Sequence, residues 1–444
     1  MRDLASRLRA IVSGTRGRTE VSSLTYEPEL GGAGVGDLET VAATLGGTCQ
    51  RDGAGAYVVV ERVWDADRWH GRRRIDSYVI DPVAPISLFD PRLANRADWA
   101  SRVVFFDIET TGLSGGAGTL AFLAGCGWFA DGGFHVRQFF LGGPGGESAM
   151  LDGLASLFDE ASLLVTFNGR TFDVPVMEMR WAFHRKPSPT DALPHFDMLP
   201  SARRLWGRRG REIGAPAEAS GCNLSALERA VLGLHRLADV PGFEIPARYF
   251  QFLRTGQAAL VEDVLEHNRH DLFSLAMLTA HALHLASDGP EACREPSEQV
   301  ALGRLYDRAG DNARAARAYE LAASSGEPDV RAHALARLAL LLRREARHDE
   351  SAAAWQGVFD LASSESGPCP LAPLERRAAE ALAIHHEHRA HDLEAAKRYA
   401  EVVRGQASGR LATEVAHRLS RLDRKIRAAE RAKAGPEAAP LLPS

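Results

Sequence analysis

Residues 103–109, Val-Val-Phe-Phe-Asp-Ile-Glu, constrain this chain more than any other stretch. Val103–Phe106 is a short run of β-branched and aromatic residues, which reads as a buried strand. Side chains at i and i+2 of a strand share a face. Asp107 and Glu109 therefore point the same way while Ile108 points into a core. Two neighbouring carboxylates repel, and burying them is costly without positive charge between them. Carboxylate oxygens suit Mg²⁺ or Mn²⁺, so a divalent cation is the simplest neutraliser. Thr110-Thr111-Gly112 breaks the strand just beyond.

Composition narrows the classes. A length of 444 residues, 45% of them hydrophobic and 25% charged, suits about two or three domains with real cores. The net charge of −5 gives no global basic field, so any nucleic-acid site is local or metal-mediated. Of the 53 Lys and Arg residues only Lys186, Lys397, Lys425 and Lys433 are lysines, which weakens any argument from arginine richness alone. Five scattered cysteines with no C-x-x-C spacing indicate neither a disulfide framework nor a zinc finger. No apolar run reaches about 18 residues and no leader-like apolar stretch opens the chain, so a cytoplasmic, non-membrane protein is expected.

In chain order, Leu4, Leu8 and Ile11 suggest a short amphipathic helix, and Gly31–Gly36 lacks any phosphate-loop spacing. Tyr57–Trp64 and Ser77–Ile80 read as strands around an Arg72-Arg73-Arg74 turn. Residues 1–95 read as an N-terminal accessory region, either a subdomain or a flexible leader. After the acidic strand, Thr119–Phe129 and Phe134–Leu141 flank Asp131-Gly132-Gly133, a hairpin signal. A helix over Ala149–Phe158, a strand over Leu163–Phe167 and a helix through Met177, Trp181 and His184 follow. An antiparallel meander and then helix–strand–helix predicts a mixed α/β sheet over 96–287.

Leu260–Leu285 is a long helical pattern containing His267-Asn268-Arg269-His270-Asp271, and Gly and Pro residues make 288–298 a linker. Leu302-Gly303, Tyr306, Ala315, Tyr319 and Ala322 then fit the tetratricopeptide pattern. Leu338, Ser351 and Trp355 repeat it, as do Leu382, Ala395 and Tyr399 after an insertion. All-α repeats over 299–433, capped by a helix from Thr413, precede a tail at 434–444. A concave helical surface on an acidic protein suits a protein or peptide partner. Ala202–Arg211 sets arginines, Arg203 and Arg204 among them, around Trp206; that patch could grip phosphates and stack a base, or be a solvated loop.

Four acids stand where apolar elements give way to polar residues: Asp107, Glu109, Asp173 and Asp271. With Asn168-x-x-x-Phe172-Asp173-x-Pro175, this set resembles the DEDD superfamily of 3′–5′ exonucleases, which have a ribonuclease H-like fold. A closer resemblance is to the YprB-like bacterial family, which joins such a domain to tetratricopeptide repeats. It is carried by Leu113–Thr119, Ala202-Arg203-Arg204-Leu205-Trp206, Asp239-Val240-Pro241-Gly242, Ile245-Pro246, Tyr249-Phe250 and Phe252–Gly256.

The superfamily resemblance implies two ions, Mg²⁺ or Mn²⁺, about 3.5–4 Å apart, which stabilise the attacking and leaving oxygens of a phosphodiester displacement. Asp107 would bridge them, with Glu109, Asp173 and Asp271 completing the shells. Asn168 and Leu113 would contact the nucleic acid. The implied activity is a 3′–5′ exonuclease on single-stranded DNA or RNA ends. A structure-specific endonuclease on the same fold and a non-catalytic scaffold are the alternatives. One departure concerns histidine: the superfamily places a tyrosine four residues before the last aspartate or a histidine five before it. Here His267 lies four before Asp271. The two share a helix face about 6 Å apart at Cβ, so His267 is either a general base or a residue that only orients its neighbours by hydrogen bonding.

Overall fold

The structure is a computed structural model that describes residues 37–78, 85–94, 100–112, 118–207, 222–236, 239–364 and 371–434. The first helix expected from the sequence, the glycine-rich loop, Leu113, Arg208–Arg211 and the repeat insertion after Ser364 largely fall outside these residues. Nine strands are described: β1 (Thr48–Asp52), β2 (Gly55–Asp65), β3 (Trp69–His70), β4 (Arg73–Arg74), β5 (Val103–Thr110), β6 (Ala121–Ala130), β7 (Gly133–Phe140), β8 (Leu163–Thr166) and β9 (His195–Asp197). Seven form one mixed sheet in the order β1-β2-β7-β6-β5-β8-β9. β5, β6 and β7 are an antiparallel meander, while β8 and β9 run parallel to β5.

Local chemistry accounts for the meander. Asp131 and Gly132 both have positive φ (49° and 76°), as a two-residue type I′ turn requires, and pair Ala130 with Gly133. The strands of the opening region do not stand apart: β2 pairs along β7 and extends the sheet. Two local expectations there are corrected. Ser77 and Tyr78 belong to a 3₁₀ turn, Ile75–Tyr78, and Arg73–Arg74 is itself a strand paired with Trp69–His70. Ile75 and Tyr78 are both buried, so an i, i+3 contact satisfies the core where a strand alternation was expected.

Helices cover both faces of the sheet: α1 (Leu38–Thr44), α2 (Glu147–Asp159), α3 (Asp173–Phe183), α4 (Met198–Trp206), α5 (Leu224–Leu227), α6 (Ile245–Thr255) and the 30-residue α7 (Ala259–Asp288). Strand β5 divides its side chains by pleat. Val103 and Phe105 join one core with Phe134 and Leu272, and Val104, Phe106 and Ile108 join the other with Phe158 and Trp181. Asp107 and Glu109 share the first face, against which α7 packs. That approach depends on Gly125, the β6 partner of Asp107: a Cβ there would lie 2.2 Å from Asn268 Oδ1 and 2.8 Å from Leu272 Cδ1.

Beyond α7, helices α8 (Pro296–Ala309), α9 (Asn312–Ala323), α10 (Pro328–Arg344), α11 (His348–Ser363), α12 (Ala372–His388), α13 (Leu393–Gln406) and α14 (Gly409–Ala434) pack in sequential order. The Gly/Pro stretch before them is not a bare tether. Pro290–Ala292 forms a 3₁₀ turn, α8 already starts at Pro296, and one core runs from Phe105 and Trp206 through Leu283 to Leu302, Tyr306 and Tyr319. Tyr306 Oη donates to the Ala286 carbonyl at 2.9 Å.

Trp206 belongs to this seam, which corrects its expected role as a base-stacking residue. It is 1% exposed, its Nε1 donates to Glu298 Oε1 at 3.1 Å, and its ring stacks on His281. A base has no access to that indole. Trp206→Ala is therefore expected to cost about 3–5 kcal/mol in folding free energy. Urea unfolding measures the loss, and oligonucleotide affinity of the folded fraction should be unchanged.

Candidate active site

Three elements deliver the four acids. Asp107 and Glu109 end β5, Asp173 begins α3, and Asp271 lies midway along α7. Asp173 owes its position to the loop before it. Asn168 has φ 68°, a left-handed conformation that asparagine tolerates, and Asp197 ties the loop down by accepting from the Asn168 N–H at 2.8 Å and the Arg170 N–H at 3.3 Å. The Asn168 amide oxygen accepts from the Thr171 hydroxyl at 2.9 Å, so the side chain shapes this loop. Asp173 Oδ1 then accepts from the Ile108 N–H at 3.3 Å, next to Asp107.

The charges are crowded. Burial first, and then the charges of Asp271, Asp173 and Glu109, push Asp107 well above the usual carboxylate range. Burial, Asp271, Asp173 and Asp239 do the same to Glu109. Asp173 is raised to about 7, by burial foremost and against the hydrogen bonds it accepts from backbone N–H groups. The acids are thus close enough to feel one another in a poorly solvated place.

Residues that sequence reasoning gave no role hold them there. Asn268, fully buried, donates through Nδ2 to Asp107 Oδ2 at 2.8 Å and to the Asp107 carbonyl at 3.2 Å; its Oδ1 accepts from Gln138 Nε2 at 2.8 Å. Arg236, with only 6% of its side chain exposed, binds Asp271 Oδ1, Glu228 and Asp239 together. Asp239 stands out in the sequence only as part of a family resemblance. Burial works to raise it, but the hydrogen bond and charge of His267 and the charge of Arg236 outweigh that and hold it below its ordinary value.

His267 is the centre of this arrangement. Its Nδ1 lies 2.7 Å from Asp239 Oδ1, and its Nε2 lies 3.7 Å from Asp271 Oδ2 and 3.9 Å from Glu109 Oε1. A carboxylate only accepts, so Nδ1 carries a proton toward Asp239, and Nε2 is the ring nitrogen turned to Asp271 and Glu109. His270 turns away to Glu266, at 3.1 Å. Arg203 and Arg204 are exposed on α4, and Arg204 Nη1 donates to the Phe89 carbonyl at 2.9 Å; among the described residues no hydrogen bond or ion pair joins them to the acids.

Among the described residues no three His, Cys, Asp or Glu side chains already close around a common point as metal ligands. Asp107 leans on Asn268, Asp173 on Ile108 N–H and Asp271 on Arg236, which keeps mutually repelling groups apart. The donor set nevertheless fits a hard divalent cation: all four are carboxylates, and three of them are driven toward protonation by burial first and then by neighbouring carboxylates.

That electrostatic state has a measurable sign. An acid whose pKa rises on folding binds its proton more tightly when folded, so its contribution to stability is present below about pH 4 and lost as pH rises through about 7. In chelator, thermal stability of the protein is expected to fall across that window. Asp173→Asn keeps an acceptor for the Ile108 N–H, removes the charge and should flatten the fall, with a melting temperature about 2–4 °C above wild type at pH 8. An unchanged profile in differential scanning calorimetry would contradict the buried-charge account.

Comparisons with known proteins bear on the fold that carries these residues. The RNase_H superfamily matches residues 104–283, which span β5 through nearly all of α7 and include all four acids and His267. The uncharacterized protein YprB of Bacillus subtilis (strain 168) is 32% identical over 331 residues, covering 73% of this chain and 75% of that protein. No described helix is long and apolar enough to cross a membrane. The chain belongs to the family of YprB, and its sheet and long helix are an RNase H superfamily domain.

Proposed function

We propose that this protein is a metal-dependent phosphodiesterase of the DEDD type that removes nucleotides from the 3′ end of single-stranded DNA or RNA. The observation that carries the reading is His267 Nε2 facing Asp271 and Glu109 while Nδ1 is held by Asp239. An RNase H superfamily domain supports nuclease chemistry in general, and nucleases of this fold typically use divalent metals. Mg²⁺ or Mn²⁺, two ions held by Asp107, Glu109, Asp173 and Asp271, would supply charge at the phosphate oxygens and a more acidic water.

The chain's own residues do the rest. His267 accepts the proton of the attacking water at Nε2, and Asp239 fixes the ring's tautomer and balances the charge that forms on it. Arg236 anchors Asp271 by Oδ1 and so turns Oδ2 toward the imidazole. Asn268 sets the rotamer of Asp107 in the same way. We read the C-terminal helices as tetratricopeptide-type repeats, on the spacing of Leu302, Ala315 and Tyr319 with Leu338, Ser351 and Trp355.

The test is incubation of the full chain with end-labelled single-stranded DNA and RNA plus Mn²⁺ or Mg²⁺. A ladder shortening from the 3′ end is expected, and a blocked 3′ end should stop it; cleavage past the block would assign an endonuclease. Asp107→Ala should abolish hydrolysis, and normal turnover in that variant overturns the site. His267→Ala should lower the rate about 10²–10⁴-fold, and Asp239→Asn should lower it in the same direction by releasing the ring.

A further inference from the structure

A polar cleft of about 390 Å³ opens on the first repeat helices, lined by Arg304, Asp307, Arg308, Asn312, Arg337 and Arg344. Arg304, Asp307 and Arg308 share one face of α8 by their i, i+3, i+4 spacing, and α10 supplies Arg337 and Arg344. Four guanidiniums thus surround one carboxylate, to which Arg344 is bonded. Arg308 and Arg337 are exposed, and among the described residues neither has a carboxylate within ion-pair distance. This is a concentrated positive site on a chain of net charge −5. Guanidinium forks in that density match the oxygens of a phosphate or carboxylate.

The cleft is not isolated from the acids. α8 packs directly on α4, and burial and then the nearby charge of Arg308 press the pKa of Arg204 down. Arg204 reaches the carbonyl of Phe89, and the next residue, Asp90, pairs with both Arg92 and Arg170. Arg170 lies in the loop that delivers Asp173. Guanidiniums therefore continue from the cleft to the edge of the acid cluster. No apolar or aromatic side chain lines the cleft. A docked peptide takes its affinity from such anchors, whereas a nucleic-acid backbone needs only the charge.

We propose that this cleft and Arg204 hold the phosphodiester backbone of the single strand whose end is processed at the acids, without reading its bases. The identity of the strand as substrate rests on the nuclease reading above; the binding does not. The first repeats would then be part of the nucleic-acid interface, in place of the protein or peptide partner expected from sequence.

The experiment measures fluorescence anisotropy of the full chain with a labelled single strand of about thirty nucleotides, long enough for more than one binding site of the usual size, in EDTA to prevent hydrolysis. Arg308→Glu/Arg337→Glu is expected to weaken binding at least about tenfold and to lower the salt slope by about 0.7 for each phosphate that is no longer neutralised. Arg308→Gln/Arg337→Gln should show a smaller loss of the same kind, which separates charge from misfolding. Arg331→Glu/Arg410→Glu, equal in charge and outside the cleft, should bind as wild type does. Loss of affinity in the cleft variants of a protein that hydrolyses nothing would leave this proposal standing and the nuclease reading fallen. Active protein whose affinity and salt slope are unchanged in both cleft variants overturns it. Preferential binding of a glutamate-rich peptide of equal charge, abolished in the same variants, also overturns it in favour of a peptide site.

Discussion

Buried acidic groups at the end of one strand dictate what can pack around them. Asp107, Glu109 and Asp173 are all driven above their ordinary pKa by desolvation and by one another. Such an arrangement costs stability and persists only when neighbouring donors over-determine it. Asn268 on Asp107, Ile108 N–H on Asp173 and Arg236 on Asp271 are those donors, and each comes from a different element. The packing of α7 on β5 and β6 is therefore as much a part of the site as the acids. Gly125 makes that packing possible.

Arg236 joins three carboxylates of this network. Its buried guanidinium meets Glu228, Asp239 and Asp271, and Asp239 in turn meets His267. One cation thereby holds the two carboxylates that face opposite nitrogens of His267, Asp239 at Nδ1 and Asp271 at Nε2. A lysine could not reproduce this, because its ammonium lacks the planar fork that spans several carboxylates at once.

The α7–α8 seam gives the sheet domain and the first C-terminal helices a common core. Within it Trp206 bonds Glu298 and stacks on His281, and Tyr306 bonds the Ala286 carbonyl, contacts that fix register as well as bury area. A shared core places the arginine cleft of α8 and α10 at a set position relative to α4. A strand held there and at the acids would meet two surfaces whose spacing does not vary with a flexible linker.

The strand with its paired acids, the Asp-Gly hairpin, the mixed sheet and the long helix on which His267 and Asp271 share a face are all legible along the chain. These follow from periods of two and 3.6 and from turn chemistry, all of which are local. Partners far apart in the chain emerge only on folding. Asn268 and Arg236 look like ordinary surface residues until folding brings them to Asp107 and Asp271. Asp239 is one acid among many until His267 Nδ1 lies 2.7 Å away. Trp206 reads as an exposed aromatic among arginines because the α8 surface that covers it begins 90 residues later in the chain, with Pro296. Burial depends on long-range packing, and no local pattern encodes what will lie on top of a side chain.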